Sequence, residues 1–229
     1  MKKTVVIIPT YNEESTIKEI LNRVSDQKNN HNLEIIVIDD ASTDNTRNIV
    51  EQNIHLVDKF LKLTKNQGKG AAVIEGLKSA EGDYVLFQDA DLEYNPKDYN
   101  KIFSVINELN ADIVIGSRFL APKYVRVHYF WHAVGNKFIT FLFNILNNTT
   151  FTDIYSCYLA IRINLIDIEK LKHLGWSQQA EILGSVVKKG NVFYEVPISY
   201  SGRTYDEGKK IRARNVISVI LTILKKRLF

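Results

Sequence analysis

The chain has 229 residues, 45% of them apolar and 24% charged, which suits one large α/β domain with a sizeable core and excludes a disordered or repetitive protein. Its one cysteine, Cys157, excludes an internal disulfide, fits a reducing cytosol and reads as a buried, inert thiol. The net charge is +4, but seven basic residues and no acid lie between Lys209 and Phe229, so the body is net negative and nucleic-acid binding is not indicated.

The first half alternates two patterns. "TVVIIP" (4–9) is a β-rich run that stops at Pro9, too short for a signal-peptide core. "STIKEILNRV" (15–24) has helical apolar spacing, with Ser15 or Thr16 as a cap. "LEIIVIDD" (33–40) reads as a strand ending in acids, and "STDNTRNIVEQ" (42–52) as capping residues and a short helix. "KFLKLTK" (59–65) alternates like a strand, and "GKGAAVIEGLKSA" (68–80) is a glycine turn feeding a helix. "DYVLFQDAD" (83–91) predicts a strand, "PKDYNKIFSVINEL" (96–109) a helix with proline in its first turn, and "DIVIGSR" (112–118) a strand. Such an order implies a mostly parallel sheet flanked by helices, with ligands beyond the carboxyl ends of the strands. Asp39, Asp40, Asp89, Asp91 and Arg118 would then meet at one edge.

After Pro122 come a long apolar helix (129–148), a helical stretch (177–190), a strand (191–200), a charged loop (201–215) and a final apolar helix. No linker separates the halves. The expectation is one domain over 1–229, with a ligand-binding half to residue 120 and a second half from 121. No segment is long enough to span a bilayer.

Asp89, Asp91 and Glu93 would face one way if the extended chain persisted, and three adjacent carboxylates raise one another's pKa unless a cation is shared. Mg²⁺ or Mn²⁺ fits that need; a solvated acidic turn is the plainer alternative. Asp40 suits a ribose or base amide, with helix capping as its alternative. "NQGKG" (66–70), with Lys69, lacks the full phosphate-loop pattern and reads first as a tight turn. Arg203, Lys209 and Lys210 suit a diphosphate, or a solvated basic loop. Asp153 reads as the cap of an apolar helix or as a general base. His128 and His132 read as packing or interface residues.

Together "VVIIPTYNEESTI" (5–17), "IIVIDDASTDNT" (35–46), "NQGKGAA" (66–72), "QDADLEYNP" (88–96), "GSRF" (116–119), "TDIYSC" (152–157) and "EVPISYSGRTYDEGKKI" (195–211) resemble the family 2 inverting glycosyltransferases, in the branch similar to dolichyl-phosphate mannose synthases. The resemblance implies a GT-A-type, Rossmann-like α/β fold binding a GDP- or UDP-linked sugar. Pro9, Tyr11 and Glu13 would line the base pocket, with Asp40 on the nucleoside and Lys69 and Ala90 beside the donor. Asp89 would hold the ribose or sugar, Asp91 and Glu93 a Mg²⁺ or Mn²⁺ ion, and Arg203 and Lys209 the diphosphate. Arg118 would face the transfer site and Asp153 the acceptor, either a polyprenyl phosphate or a glycan or lipid hydroxyl.

Two rival readings share some of these residues. A nucleotide-sugar-binding protein without catalysis would keep the same residues. A receiver domain shares "VIDD", but its acid pair should follow the first strand, and the chain is too long for it. The final helix, Val216 to Leu224 between basic flanks, suits either peripheral contact with an anionic membrane or packing on the domain or on a second subunit of a homodimer.

Overall fold

The computed structural model describes residues 1–120, 129–203 and 214–228. Its centre is a seven-stranded sheet. β1 (Thr4–Thr10), β2 (Leu33–Asp39), β3 (Lys59–Lys62), β4 (Tyr84–Phe87), β5 (Ile113–Ser117), β6 (Leu159–Arg162) and β7 (Phe193–Pro197) lie in the order β3-β2-β1-β4-β6-β5-β7. All neighbours are parallel except β6, which runs antiparallel between β4 and β5. Val5 to Ile8, Ile35 to Ile38 and Val85 to Leu86 are fully buried, as continuous apolar runs covered on both faces should be.

The helices are α1 (Ile17–Ser25), α2 (Thr46–Gln52), α3 (Lys69–Lys78), α4 (Tyr99–Leu109), α5 (Phe130–Asn147), α6 (Gln178–Val186) and α7 (Arg214–Leu228). α3 lies against β1 and β2, α4 against β5 and β7, and α7 against α5 and α6. α1 buries Ile17, Ile20, Leu21 and Val24, the predicted stripe. Thr16 stands at its cap position without a capping bond; its hydroxyl donates instead to the Ala90 carbonyl at 2.9 Å, tying the helix to the acidic loop.

Three expectations change. The strand 83–91 ends at Phe87, and the chain bends through the acids rather than staying extended. Asp153 caps no helix, because residues 152–157 form a turn leading into strand β6. A continuous apolar run such as Leu159 to Ile161, buried on both faces, has no period by which to tell helix from strand. Ser42 and Thr43 clasp the neighbouring loop in place of capping α2, while Asp44 does both, its Oδ1 accepting from the Thr46 N–H at the start of α2 at 3.0 Å. The Asn12 N–H donates to Ser42 Oγ at 3.0 Å, the Thr43 N–H to Asn12 Oδ1 at 2.8 Å, and the Glu14 N–H to Asp44 Oδ2 at 3.2 Å.

α7 buries Val219, Thr222 and Ile223 and turns Leu221, Lys225 and Arg227 outward. Lys226 is bonded to the buried Glu181 at 3.0 Å, so it belongs to the packed face. No helix among the described residues is long and apolar enough to cross a membrane. Cys157 is buried, and burial pushes its thiol well above the ordinary range.

Candidate active site

The carboxyl ends of β1, β2 and β4 open into a cavity of about 340 Å³. Pro9, Tyr11, Glu13, Asp40, Lys69, Asp89, Ala90, Asp91, Glu93 and Arg203 line it, so ten of the residues singled out in the sequence meet there. Arg118 and Asp153 lie outside its lining. Lys209, Lys210 and His128 lie outside the described residues. Asp39 does not reach the cavity. It is fully buried and paired with Arg47 at 2.6 Å, an anchor for α2.

Asp40 shapes the cavity floor. Its two oxygens accept from the Gln67 and Gly68 N–H groups at 2.8 and 2.7 Å, fixing the glycine turn that starts α3. Gly68 has φ +97°, a left-handed conformation that a side chain disfavours. The Gly70 N–H donates to the Leu174 carbonyl at 2.7 Å, so a strap from the second half of the chain crosses the start of α3. A Cβ at Gly70 would fall 2.4 Å from the His173 oxygen and 2.6 Å from the Leu174 carbon, both backbone atoms. Gly70→Ala should therefore push the strap away, at a cost of about 1–3 kcal/mol. Urea unfolding and nucleoside diphosphate titration would check it; unchanged stability and binding would contradict the fit.

That strap carries Gly175 and Trp176, cavity residues that the sequence reading missed. The indole lies with its ring centroid 5.6 Å from the Lys69 amine. A tryptophan after glycine in a polar loop was the available signal. Lys69 is ion-paired with Asp89. Burial alone would lower the amine, but the Asp89 carboxylate outweighs it and holds the lysine above its ordinary range.

The remaining acids share a different cation. The Tyr94–Tyr200 bridge and the Ser201 N–H, which donates to the Glu93 carbonyl at 2.9 Å, lay residues 200–203 along the acidic loop. Arg203 thereby reaches Asp91 at 2.6 Å, Glu93 at 3.2 Å and Glu13 at 3.6 Å. Tyr200 donates to the other Glu93 oxygen at 2.7 Å. Even so, burial, then the charges of Asp89 and Glu93, push the Asp91 carboxyl up to about 7 against the pull of Arg203. The lining carries five carboxylates among the described residues, Glu13, Asp40, Asp89, Asp91 and Glu93, against two cations, Lys69 and Arg203. Among the described residues no three acidic, histidine or cysteine side chains form a ready-made cage. Two hard carboxylates with an excess of charge fit a Mg²⁺- or Mn²⁺-type ion whose other ligands come from a phosphate and water.

Beyond the cavity wall, Arg118 and Asp153 form a bidentate pair at 2.7 and 2.8 Å, and Asp153 is fully buried. The Glu195 carboxylate accepts from the Thr152 and Asp153 N–H groups at 2.9 and 3.2 Å, locking the turn that aims Asp153. The guanidinium carbon of Arg118 stands 5.1 Å from the ring centroid of Tyr200, so this pair abuts the residue that braces Glu93.

Comparison with known proteins gives this geometry a family. The chain is 31% identical over 210 residues to the dolichol-phosphate mannosyltransferase of Pyrococcus furiosus, a match covering 90% of this chain and 59% of that longer protein. It is 30% identical over 232 aligned positions to the UDP-N-acetylglucosamine–dolichyl-phosphate N-acetylglucosaminyltransferase of Methanococcus voltae, covering 93% and 90% of the two chains. Glucosyl-3-phosphoglycerate synthase of Mycobacterium tuberculosis shares the fold, with TM-score 0.73 at 19% identity over 100% of this chain and 81% of that one. The same enzyme in complex with Mn²⁺, uridine diphosphate and glucosyl-3-phosphoglycerate aligns with TM-score 0.70 at 18% identity, over the same shares of the two chains. The fold is accordingly of the GT-A type. Residues 5–167 match the family described as Glycosyl transferase family 2, and the chain belongs to that family.

Proposed function

We propose that the chain moves a sugar, with inversion, from a nucleoside diphosphate sugar to a polyprenyl phosphate. The observation that carries the acceptor is the Arg118–Asp153 pair. Both oxygens of Asp153 are held by Arg118, and the carboxylate is buried. That arrangement suits Asp153 to positioning Arg118, in place of the base expected for a hydroxyl acceptor. An anionic phosphate needs no base, and a fixed guanidinium beside the donor pocket is suited to receive it. The two curated relatives are named for dolichyl-phosphate or dolichol-phosphate transfer, which supports the same acceptor class.

The donor would lie in the cavity, its base toward Pro9, Tyr11 and Glu13, its ribose toward Asp40, and its sugar between Asp89, Lys69 and Trp176. A divalent ion held by Asp91 and Glu93 would offset charge on the departing diphosphate; the neighbour's complex with Mn²⁺ and uridine diphosphate supports this. Arg203 would turn from the acids to the diphosphate, and Lys209 would join it. An acceptor oxygen attacks the anomeric carbon from the face opposite the diphosphate. The new C–O bond forms as the old one breaks, and its electrons stay on the leaving phosphate oxygen.

Arg203 and the ion compete for the same oxygens on this reading. Arg203→Met should tighten Mn²⁺ binding without nucleotide by on the order of tenfold, about 1.4 kcal/mol. Paramagnetic resonance of free Mn²⁺ would measure it, and unchanged or weaker binding would count against the shared site. The function itself is tested by offering GDP- and UDP-sugars with polyprenyl phosphate or the matching polyprenol. Product from the phosphate alone is expected. Equal transfer to polyprenol would return a base role to Asp153. Nucleotide binding without turnover on any acceptor would favour the non-catalytic reading.

A further inference from the structure

Helix α5 buries only one narrow face, through Ile139, Thr140 and Phe143. On its outer side Trp131, Val134, Phe138, Phe141 and Ile145 are exposed, by 77% at Trp131 and 63% at Ile145. Their spacing alternates three and four residues, so they form one stripe about 21 Å long at 1.5 Å per residue. Isolated exposed apolar residues are ordinary, but a continuous line with three aromatic rings marks a contact surface.

Charge decides what covers it. The sequence holds no acid between Asp112 and Asp153, and none after Glu207. Lys137 is exposed on α5, and α7, packed beside it, turns Leu221, Lys225 and Arg227 outward. A second copy brought to this face would repeat the positive charge and supply no counter-charge from these helices. Anionic lipid headgroups supply it, and Trp and Phe side chains favour the boundary between headgroups and acyl chains.

We propose that α5, with the outer edge of α7, lies in the plane of an anionic membrane surface and docks the enzyme there. The middle of α5 lies beside the acceptor end of the site proposed above. Lys137 stands 5.9 Å from the ring centroid of Phe119, next to Arg118, and the Ile154 N–H, next to Asp153, reaches Thr140 Oγ1 at 3.4 Å. Docking would bring Arg118 to the headgroup level, where a lipid-borne phosphate is presented. The docking itself is independent of the acceptor assigned above and is read without one.

The full chain is sedimented at low salt with phosphatidylglycerol–phosphatidylcholine vesicles and with pure phosphatidylcholine vesicles, neither containing polyprenyl phosphate or donor. It should bind the anionic vesicles and leave them as salt rises. The chain has two tryptophans. Brominated lipid should quench the wild type and spare Trp131→Phe, whose remaining Trp176 sits at the donor cavity. The pair Phe138→Glu and Phe141→Glu, both at exposed positions, should weaken binding about tenfold or more with an unchanged thermal melt. Lys225→Gln with Arg227→Gln should weaken it by a similar factor. The proposal is overturned if the wild type stays in the supernatant with anionic vesicles, or if the double glutamate variant binds as well as the wild type. A concentration-dependent dimer dispersed by the same two glutamates would overturn it in favour of a second copy.

Discussion

Asp91→Asn should lower transfer by about 10²–10³-fold or more and weaken metal-dependent nucleotide binding, while the protein keeps its fold. The expectation rests on the site's charge. Asp91 is buried among Asp89 and Glu93, with its carboxyl pushed up to about 7. Asparagine keeps the shape and the oxygen that accepts from the Glu93 N–H at 3.1 Å. It removes one unfavourably placed negative charge and the acceptor facing Arg203, whose guanidinium keeps Glu93 and Glu13. Folding stability should therefore hold, and a change of more than about 1 kcal/mol in urea unfolding would show that Asp91 is chiefly structural. Full activity in the presence of chelator would remove the metal from the scheme, leaving Arg203 as the cation on these acids.

A larger effect on stability is expected at Arg118. Arg118→Met leaves the fully buried Asp153 carboxylate without its cation, which should cost about 3–5 kcal/mol and abolish transfer. Stability and chemistry are confounded in that single variant, and a second substitution separates them. In Arg118→Met with Asp153→Asn, the amide is neutral and can still accept from the residue 118 backbone N–H, now at 3.1 Å from Asp153 Oδ2. Most of the lost stability should return while transfer stays absent. Recovery of transfer along with stability would mean that Arg118 serves the fold alone. Asp153→Asn by itself should leave a measurable rate on a phosphate acceptor; a loss of about 10²-fold or more on a proven hydroxyl acceptor would instead mark a base.

The order of strands and helices up to residue 118 was legible because burial imposes a period on local sequence. Runs such as Val5–Ile8 and Ile35–Ile38 are covered on both faces, and the α1 stripe on one. The strand-end acids were legible for a related reason. A parallel sheet gathers the carboxyl ends of its strands, so Asp40 and Asp91 could be placed at one edge without knowing the loops. The ordered motifs of the family carried the rest of the candidate list.

Tertiary structure alone decided which charges meet. Arg203 reaches Asp91 across 112 positions only because the Tyr94–Tyr200 bridge sets the register of the two segments. Asp89 faces Lys69 because the chain bends after Phe87, where alternation would have kept it with Asp91 and Glu93 on an extended edge. The Leu174 strap over α3 and the antiparallel insertion of β6 are also contacts between distant segments. Local periodicity records how each residue is buried. It contains no term for the loop geometry that selects one partner among several cations, and in this protein that selection separates a buried acidic turn from a site able to hold a donor.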